Sequence, residues 1–442
     1  MMRTLILLIY IIMSAGISLK AQSLVDNDTT SVDDEDQFIR ENPEIEEFVD
    51  ADIVVPDYIN LSSNRIKMNG ANWMGLKSAL AGIDTTSMAI VHIGDSHLQA
   101  DIATHVIRDY LQYDFGNAGR GLVAPLKMSG TNEPHDYVFS SKNKWKAAKL
   151  MKAPWSYTMG FTGTSVSPSS KINELSIGTV LEDDYNPFSS LTLFHNGKIN
   201  INRVVSESGR NIEFTAIPSK DYTQIYLSEP SSYVTLFFDS VGDLTVFGAN
   251  LSGERPGIFY HTIGNNGATY STYNRIGNLG AGIAPLHPEL VIVSLGTNEA
   301  FGRVDNLEFY KSIDAFVKDI KSHNPEAQIL LVTPMECQRR ATRTVTRRNR
   351  RGRKYTVKQR TGSYSVNQNI RPIRETILRY GRDNGIAVYD WYEVAGGAGA
   401  SSKWIESKLY GKDRVHHTST GYKLQGKLLY DALQKEFEDI TK

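Results

Sequence analysis

From about Ile66 the chain alternates short unbroken apolar runs with longer stretches whose apolar residues recur at helical spacing. WMGLKSALAGI, from Trp73, has that spacing and predicts a helix. SMAIVHIGD, from Ser87, predicts a short buried strand. LQADIATHVIRDYLQYDF then repeats apolar residues at Leu98, Ile102, Val106 and Leu111, which predicts one helix with a buried face. ELVIVSLGTNE, AQILLVTPM and IAVYDWY read as further buried strands, with helices over 306–323, 366–384 and 419–438. Strands alternating with helices predict an α/β domain with a parallel sheet and helices on both faces.

Residues 126–255 have another texture. They are rich in Ser, Thr, Asn, Gly and aromatics, with short alternating stretches and no helical period. SLTLFHNGKININRVV predicts a hairpin turning at Asn196-Gly197, and TQIYLSEPSSYVTLFFDS and DLTVFGANL predict more strands. The expectation is an all-β sandwich that interrupts the α/β domain, leaving 59–125 and 256–442 as its two parts.

The N-terminal pattern changes the picture. Arg3 precedes an apolar stretch that ends in small residues near Ala21, the layout of a signal peptide over 1–22. The stretch is short for a stable membrane span. Export to the periplasm, the cell envelope or beyond is therefore expected. Residues 23–58 are acidic and predict a flexible lead-in. A formal net charge of −1 implies neither nucleic acid nor anionic lipid as partner. Cys337 is the only cysteine, so no intrachain disulfide can form, and packing is its expected role.

Candidate chemistry gathers at strand ends. Gly94-Asp95-Ser96-His97 joins a strand directly to a helix, which puts Ser96 at the carboxyl edge of the sheet, where open α/β folds place their sites. Free N–H groups and the helix dipole there favour a developing oxyanion. Ser96 as a plain helix N-cap is the other reading of this segment. Gly296-Thr297-Asn298 ends a second strand and brings an amide to the same edge. Asp413 and His416 stand three apart before the last helix, a spacing at which one loop can hold a carboxylate against an imidazole.

Gly94-Asp95-Ser96, Gly264-x-x-Gly267, Gly296-x-Asn298 and Asp413-x-x-His416 resemble, in order, the four blocks of the SGNH (GDSL-type) hydrolases. The resemblance implies a flavodoxin-like three-layer α/β/α fold and ester hydrolysis without a cofactor or metal. Ser96 would be the nucleophile, His416 the general base and then acid, and Asp413 the residue that orients His416. The backbone N–H groups of Ser96 and Gly267 and the Asn298 side chain would form the oxyanion hole; Gly264 is the alternative to Gly267. His417 adjoins His416 and would be the base in a shifted register. A zinc site from His97, His416 and His417 lacks supporting acidic or cysteine spacing.

A β-sandwich inserted between the first two blocks makes the chain most like the peptidoglycan O-acetylesterases, in which a carbohydrate-binding-like module stands there. That resemblance implies an exported esterase acting on an acetylated polysaccharide or peptidoglycan. Trp145, Trp155 and Tyr157 would then be candidates to stack on sugars or, as often in sandwiches, core residues. A lipase- or thioesterase-type relative and a non-catalytic glycan-binding envelope protein are the rival readings. The filled catalytic positions oppose the second. One stretch departs from the pattern: 338–362 is strongly basic and follows a strand end, which predicts a loop at the site's edge, either a plain flexible loop or one that attracts anionic glycan or peptide carboxylates.

Overall fold

The computed structural model describes residues 53–180, 186–350 and 352–441; the expected leader and most of the acidic lead-in lie outside the described residues. Six strands form the central sheet: β1 (Ile66–Lys67), β2 (Met88–Gly94), β3 (Ile258–Gly264), β4 (Pro288–Ser294), β5 (Gln328–Val332) and β6 (Ala387–Tyr389). Their order is β1-β6-β5-β4-β2-β3. Strands β2 to β6 are parallel, and β1 adds an antiparallel edge. The five parallel strands thus have the flavodoxin-like order, with β2 flanked by β3 and β4. Where the winding reverses, between β2 and β4, the sheet opens a crevice at its carboxyl edge.

Every residue of β2 is buried because helices cover both faces of the sheet. Helices 74–81, 102–115 and 419–441 pack together as one layer, and 270–274, 279–283, 306–323 and 370–384 group as the other. The one polar side chain inside β2, His92, is satisfied across the strands. Its Nδ1 meets the Tyr260 hydroxyl at 2.7 Å and its Nε2 the Ser294 hydroxyl at 2.6 Å, and burial lowers its pKa to about 3. This neutral histidine ties β3 and β4 to the strand that carries the candidate nucleophile.

The helix expected after β2 is two helices, Ser96–Gln99 and Ile102–Phe115. Asp101 breaks them apart with φ 59°, in the left-handed region. The buried ion pairs of its carboxylate account for this break. Arg108 meets it at 2.5 Å and Arg120 at 2.7 Å, and both also reach Asp136, at 3.2 and 2.7 Å. The helix expected from 366 begins at Ile370, because the Asn367 and Asn369 side chains donate instead to the Ala300 carbonyl.

A ten-stranded β-rich sheet draws its strands from Gly121 to Ser252 and has its own apolar core, which includes Phe139, Leu175, Phe188 and Phe238. Leu122, Phe161, Phe194 and Phe247 instead join the core of the α/β part, so the two parts are packed together. No hairpin turns at Asn196-Gly197: a single strand runs from Phe188 to Ser206. Gly197 has φ 77°, and a Cβ there would lie 2.8 Å from the Asp243 carbonyl oxygen of the facing strand. The glycine therefore serves a close approach at a register shift, not a chain reversal. Trp145 packs against Phe238 and is half-buried, as are Trp155 and Tyr157; the Trp155 indole donates to the Lys149 carbonyl at 3.0 Å. The basic segment is not a loop. It is a two-stranded ribbon, Gln338–Arg348 paired with Lys354–Val366.

Candidate active site

The site forms where β2 and β4 end. Asp95 caps the helix that starts at Ser96, accepting the His97 N–H at 3.0 Å. Ser96 is 4% exposed, and its Oγ lies 2.8 Å from His416 Nε2. His416 Nδ1 lies 2.5 Å from Asp413 Oδ2. The other oxygen of Asp413 accepts the N–H groups of Val415 and His416, each at 3.0 Å, so the loop fixes the carboxylate before the imidazole uses it. Burial works against charge on Asp413, but the His416 hydrogen bond, its charge and the two N–H groups outweigh it and hold the carboxyl below its usual range. Residues 320 positions apart in the chain thus form one chain of hydrogen bonds from hydroxyl to imidazole to carboxylate.

His417 is not part of that chain. It is buried against Trp404, Tyr410 and Tyr422, with ring centroids 4.9, 5.0 and 4.9 Å away, and burial drives its pKa far down. His97 lies between, its Nδ1 3.2 Å from the Tyr422 hydroxyl. Burial and then the neighbouring His416 lower its pKa to about 3. The three imidazoles do cluster, with His97 5.2 Å from His416 and 5.3 Å from His417. His416 nevertheless spends one nitrogen on Ser96 and the other on Asp413, which leaves it none for a metal. Cys337 is buried beside a cavity of about 30 Å³ that His97, Tyr410 and His417 also line. Burial pushes its thiol up to about 12, so it stays protonated.

The expected oxyanion donors are tied to the same corner. Asn298 Nδ2 donates to Asp95 Oδ2 and to the Ala268 carbonyl, at 3.1 Å each. Gly267 has φ 76° in the turn after β3, and among the described residues its N–H has no acceptor. Gly264 answers a different need: a Cβ there would lie 2.4 Å from the Gln99 nitrogen, so it lets the Ser96 helix sit on β3.

Two residues of this corner have roles that the sequence does not show: Gln99, and Asp95, which it presents only as a member of the first block. Gln99 accepts the Asn266 N–H at 2.7 Å and donates to Thr131 Oγ1 at 2.7 Å and to the Asn132 carbonyl at 3.1 Å. It joins the Ser96 helix, the Gly267 turn and the entry to the β-rich part. Its spacing, one turn after Ser96 on the same helix, was the available signal. Asp95 is 1% exposed, and burial pushes it up to about 6, with the His97 N–H pulling it back. A third cluster, Asp101, His105 and Asp136, has metal-like spacing. Arg108 and Arg120 already face both of its carboxylates, so it is an ion-pair cluster whose two guanidinium groups oppose a cation.

A solved peptidoglycan O-acetylesterase is 20% identical, covers 85% of this chain and 99% of its own, and superposes with a TM-score of 0.67. A lipase/acylhydrolase from Enterococcus faecalis (17% identical, 41% of this chain and 77% of its own) and an acetyl xylan esterase (18%, 40% and 81%) align only with TM-scores of 0.28 and 0.30. No curated protein matches the chain in sequence. Residues 242–424 match the GDSL-like Lipase/Acylhydrolase family, a span that holds Gly267, Asn298, Asp413 and His416 while Ser96 lies ahead of the β-rich part. Residues 242–424 are thus similar to the GDSL-like lipase/acylhydrolases, and the chain, β-rich part included, has the fold of the solved peptidoglycan O-acetylesterase.

Proposed function

We propose that this protein is an exported serine esterase that removes O-acetyl groups from peptidoglycan through an acyl-enzyme on Ser96. One observation carries the reading: Ser96 Oγ, His416 and Asp413 lie in hydrogen-bond contact, at 2.8 and 2.5 Å, on the edge of the sheet where the winding reverses. The agreement with a peptidoglycan O-acetylesterase over the insertion as well as the α/β part supports the substrate class. Export rests on the leader over 1–22.

The chemistry follows from the contacts. His416 takes the hydroxyl proton as Ser96 Oγ bonds to the acetyl carbonyl carbon, and Asp413 stabilises the imidazolium. The carbonyl oxygen becomes negative. The N–H groups of Ser96 and Gly267 receive it, with a share of the Asn298 amide drawn from Asp95 or Ala268. As the tetrahedral intermediate collapses, the bond to the sugar oxygen breaks and His416 returns the proton to it. Water then attacks the acetyl-Ser96 carbonyl, again losing its proton to His416, and acetate leaves as Ser96 is restored.

Turnover of a chromogenic acetyl ester should drop at least about 10⁴-fold in Ser96→Ala. Full activity in that variant would refute the mechanism. Acetate release from O-acetylated peptidoglycan, compared with acetylated xylan, tests the substrate: the reading requires the first to be the better.

A further inference from the structure

The basic ribbon is long, exposed and joined to the catalytic loop. Between 338 and 366 it carries nine Arg and two Lys and no Asp or Glu. Its first strand has 11 residues, which at about 3.3 Å per residue reaches roughly 35 Å. Val345 pairs with Val357 and Arg347 with Tyr355, and Arg343 pairs with Gln359. On the other face Thr342, Thr344 and Thr346 alternate between the arginines, and Arg348 pairs with Lys354. Cations therefore project from both faces. An isolated two-stranded ribbon is marginal in water, and like charges destabilise it further.

Its base is fixed to the residues that orient His416. The Gln338 N–H donates to the Arg414 carbonyl at 3.0 Å, and Arg414 Nη1 returns a bond to Gln338 Oε1 at 2.8 Å. The Arg414 guanidinium lies 4.2 Å from the ring centre of Tyr364, whose hydroxyl reaches the Lys412 carbonyl at 3.4 Å. Arg414 stands between Asp413 and His416 in sequence. The base of the ribbon therefore lies beside the loop that holds Asp413 and His416.

We propose that the ribbon is a docking arm for a polymer bearing carboxylates, and that it selects anionic glycan for the esterase site. The inference rests on the reading of Ser96 as the nucleophile of a cell-wall esterase, and it names the feature of the polymer that is recognised. Guanidinium groups bind carboxylates through paired N–H donors, and the threonine hydroxyls among them suit sugar hydroxyls. The tip, Asn349–Arg353, has no apolar residue to enter a bilayer. Tyr364 is already covered by Arg414, and Tyr355, 45% exposed, is the one open ring among the ribbon's described residues; this is poor provision for stacking on bases.

The test is a combined variant, Arg343→Gln, Arg347→Gln, Arg348→Gln and Lys354→Gln, in the full chain. Its turnover of a chromogenic acetyl ester should equal that of the wild type, which also reports correct folding. Its kcat/KM on O-acetylated peptidoglycan should fall about 10-fold or more, through KM. Amidating the peptidoglycan carboxylates should lower the wild type to the same level. Rising salt should do likewise, as exposed charges are screened beyond about 8 Å at physiological ionic strength. Pelleting with de-O-acetylated sacculi reads docking apart from hydrolysis. Wild-type pelleting that is lost in the variant supports the arm even if no acetate is released, an outcome that would defeat only the esterase reading. Equal pelleting and equal kcat/KM for the two proteins would overturn the arm and leave the esterase standing. Retention on vesicles of a phosphate-bearing lipid, with none on sacculi, would overturn it too. A charge-keeping variant, Arg343→Lys, Arg347→Lys and Arg348→Lys, should retain most of the wild-type pelleting; its loss there would also count against the arm.

Discussion

Asp95 caps the Ser96 helix, accepts from Asn298 and is almost fully buried, and these duties conflict. Its pKa in the folded protein is pushed up from 3.8 to about 6. The ionised form therefore costs stability. The cost is absent below the unfolded value, grows between about 4 and 6 and is complete above that, where it amounts to about 3 kcal/mol. Asp95→Asn keeps an acceptor for the His97 N–H but loses the one for Asn298, so thermal unfolding should show its stability relative to wild type rising from pH 4 to pH 8, while its turnover falls. No such rise would contradict this account. The same variant separates two titrations. His97 stays neutral down to about 3, and burial holds His417 well below the usual imidazole range, so neither sets the acid limb of activity. That limb should persist in Asp95→Asn, because it reports the base that takes the Ser96 proton. At this scale the sequence was informative where spacing alone fixes a contact. Asp413 and His416, three apart, meet as expected. Asp95 was opaque because its burial comes from β4 and the turn after β3, which local pattern does not contain.

At the scale of elements, the strand ends were legible and the interruptions were not. β2 and β4 are continuous apolar runs that stop in small polar residues, and that is a local property. The break at Asp101 answers two arginines, one of them 19 residues further on, so the helical period ran straight through it. Asn196-Gly197 has the composition of a turn, but the partner strand's backbone decides its use. Charge hides the alternation of the basic ribbon, so its pattern reads as a loop. Gln99 is the element-level link that matters most to the proposed function, since it joins the Ser96 helix to the Gly267 turn. Gln99→Ala should lower kcat on a small acetyl ester about 10- to 100-fold with KM nearly unchanged, because it loosens the proposed oxyanion donor without touching the substrate. An unchanged kcat would show that the turn holds its shape without Gln99.

At the scale of the molecule, the α/β part and the β-rich insertion share one buried charge cluster. Asp101 begins the 102–115 helix, Arg120 leads into the insertion, and Asp136 lies within it. Burial opposes charge on Asp136, but Arg120 and its neighbours hold its pKa well below the usual range. Its stabilising contribution is present above the unfolded value of 3.8 and is lost as pH falls through the folded one. Arg120→Met leaves two carboxylates short of a partner and should cost about 3–5 kcal/mol near pH 7, read by denaturant unfolding. The deficit should shrink in acid; a deficit independent of pH would mean lost packing, not lost charge pairing. The change of texture at about 126 made the interruption visible in the sequence. The cluster that fixes the two parts together was not visible, because arginines and aspartates in loops look like any solvated surface.

The central claim is that Ser96, driven by His416, carries the acyl group. Rapid quenching during turnover of an acetyl ester, followed by mass spectrometry of the digested protein, tests it most directly. The account predicts an acetyl group on the peptide containing Ser96, absent when His416 is replaced by Ala. Acetyl on another residue, or hydrolysis that proceeds unaltered with Ser96 replaced by Ala, would contradict it.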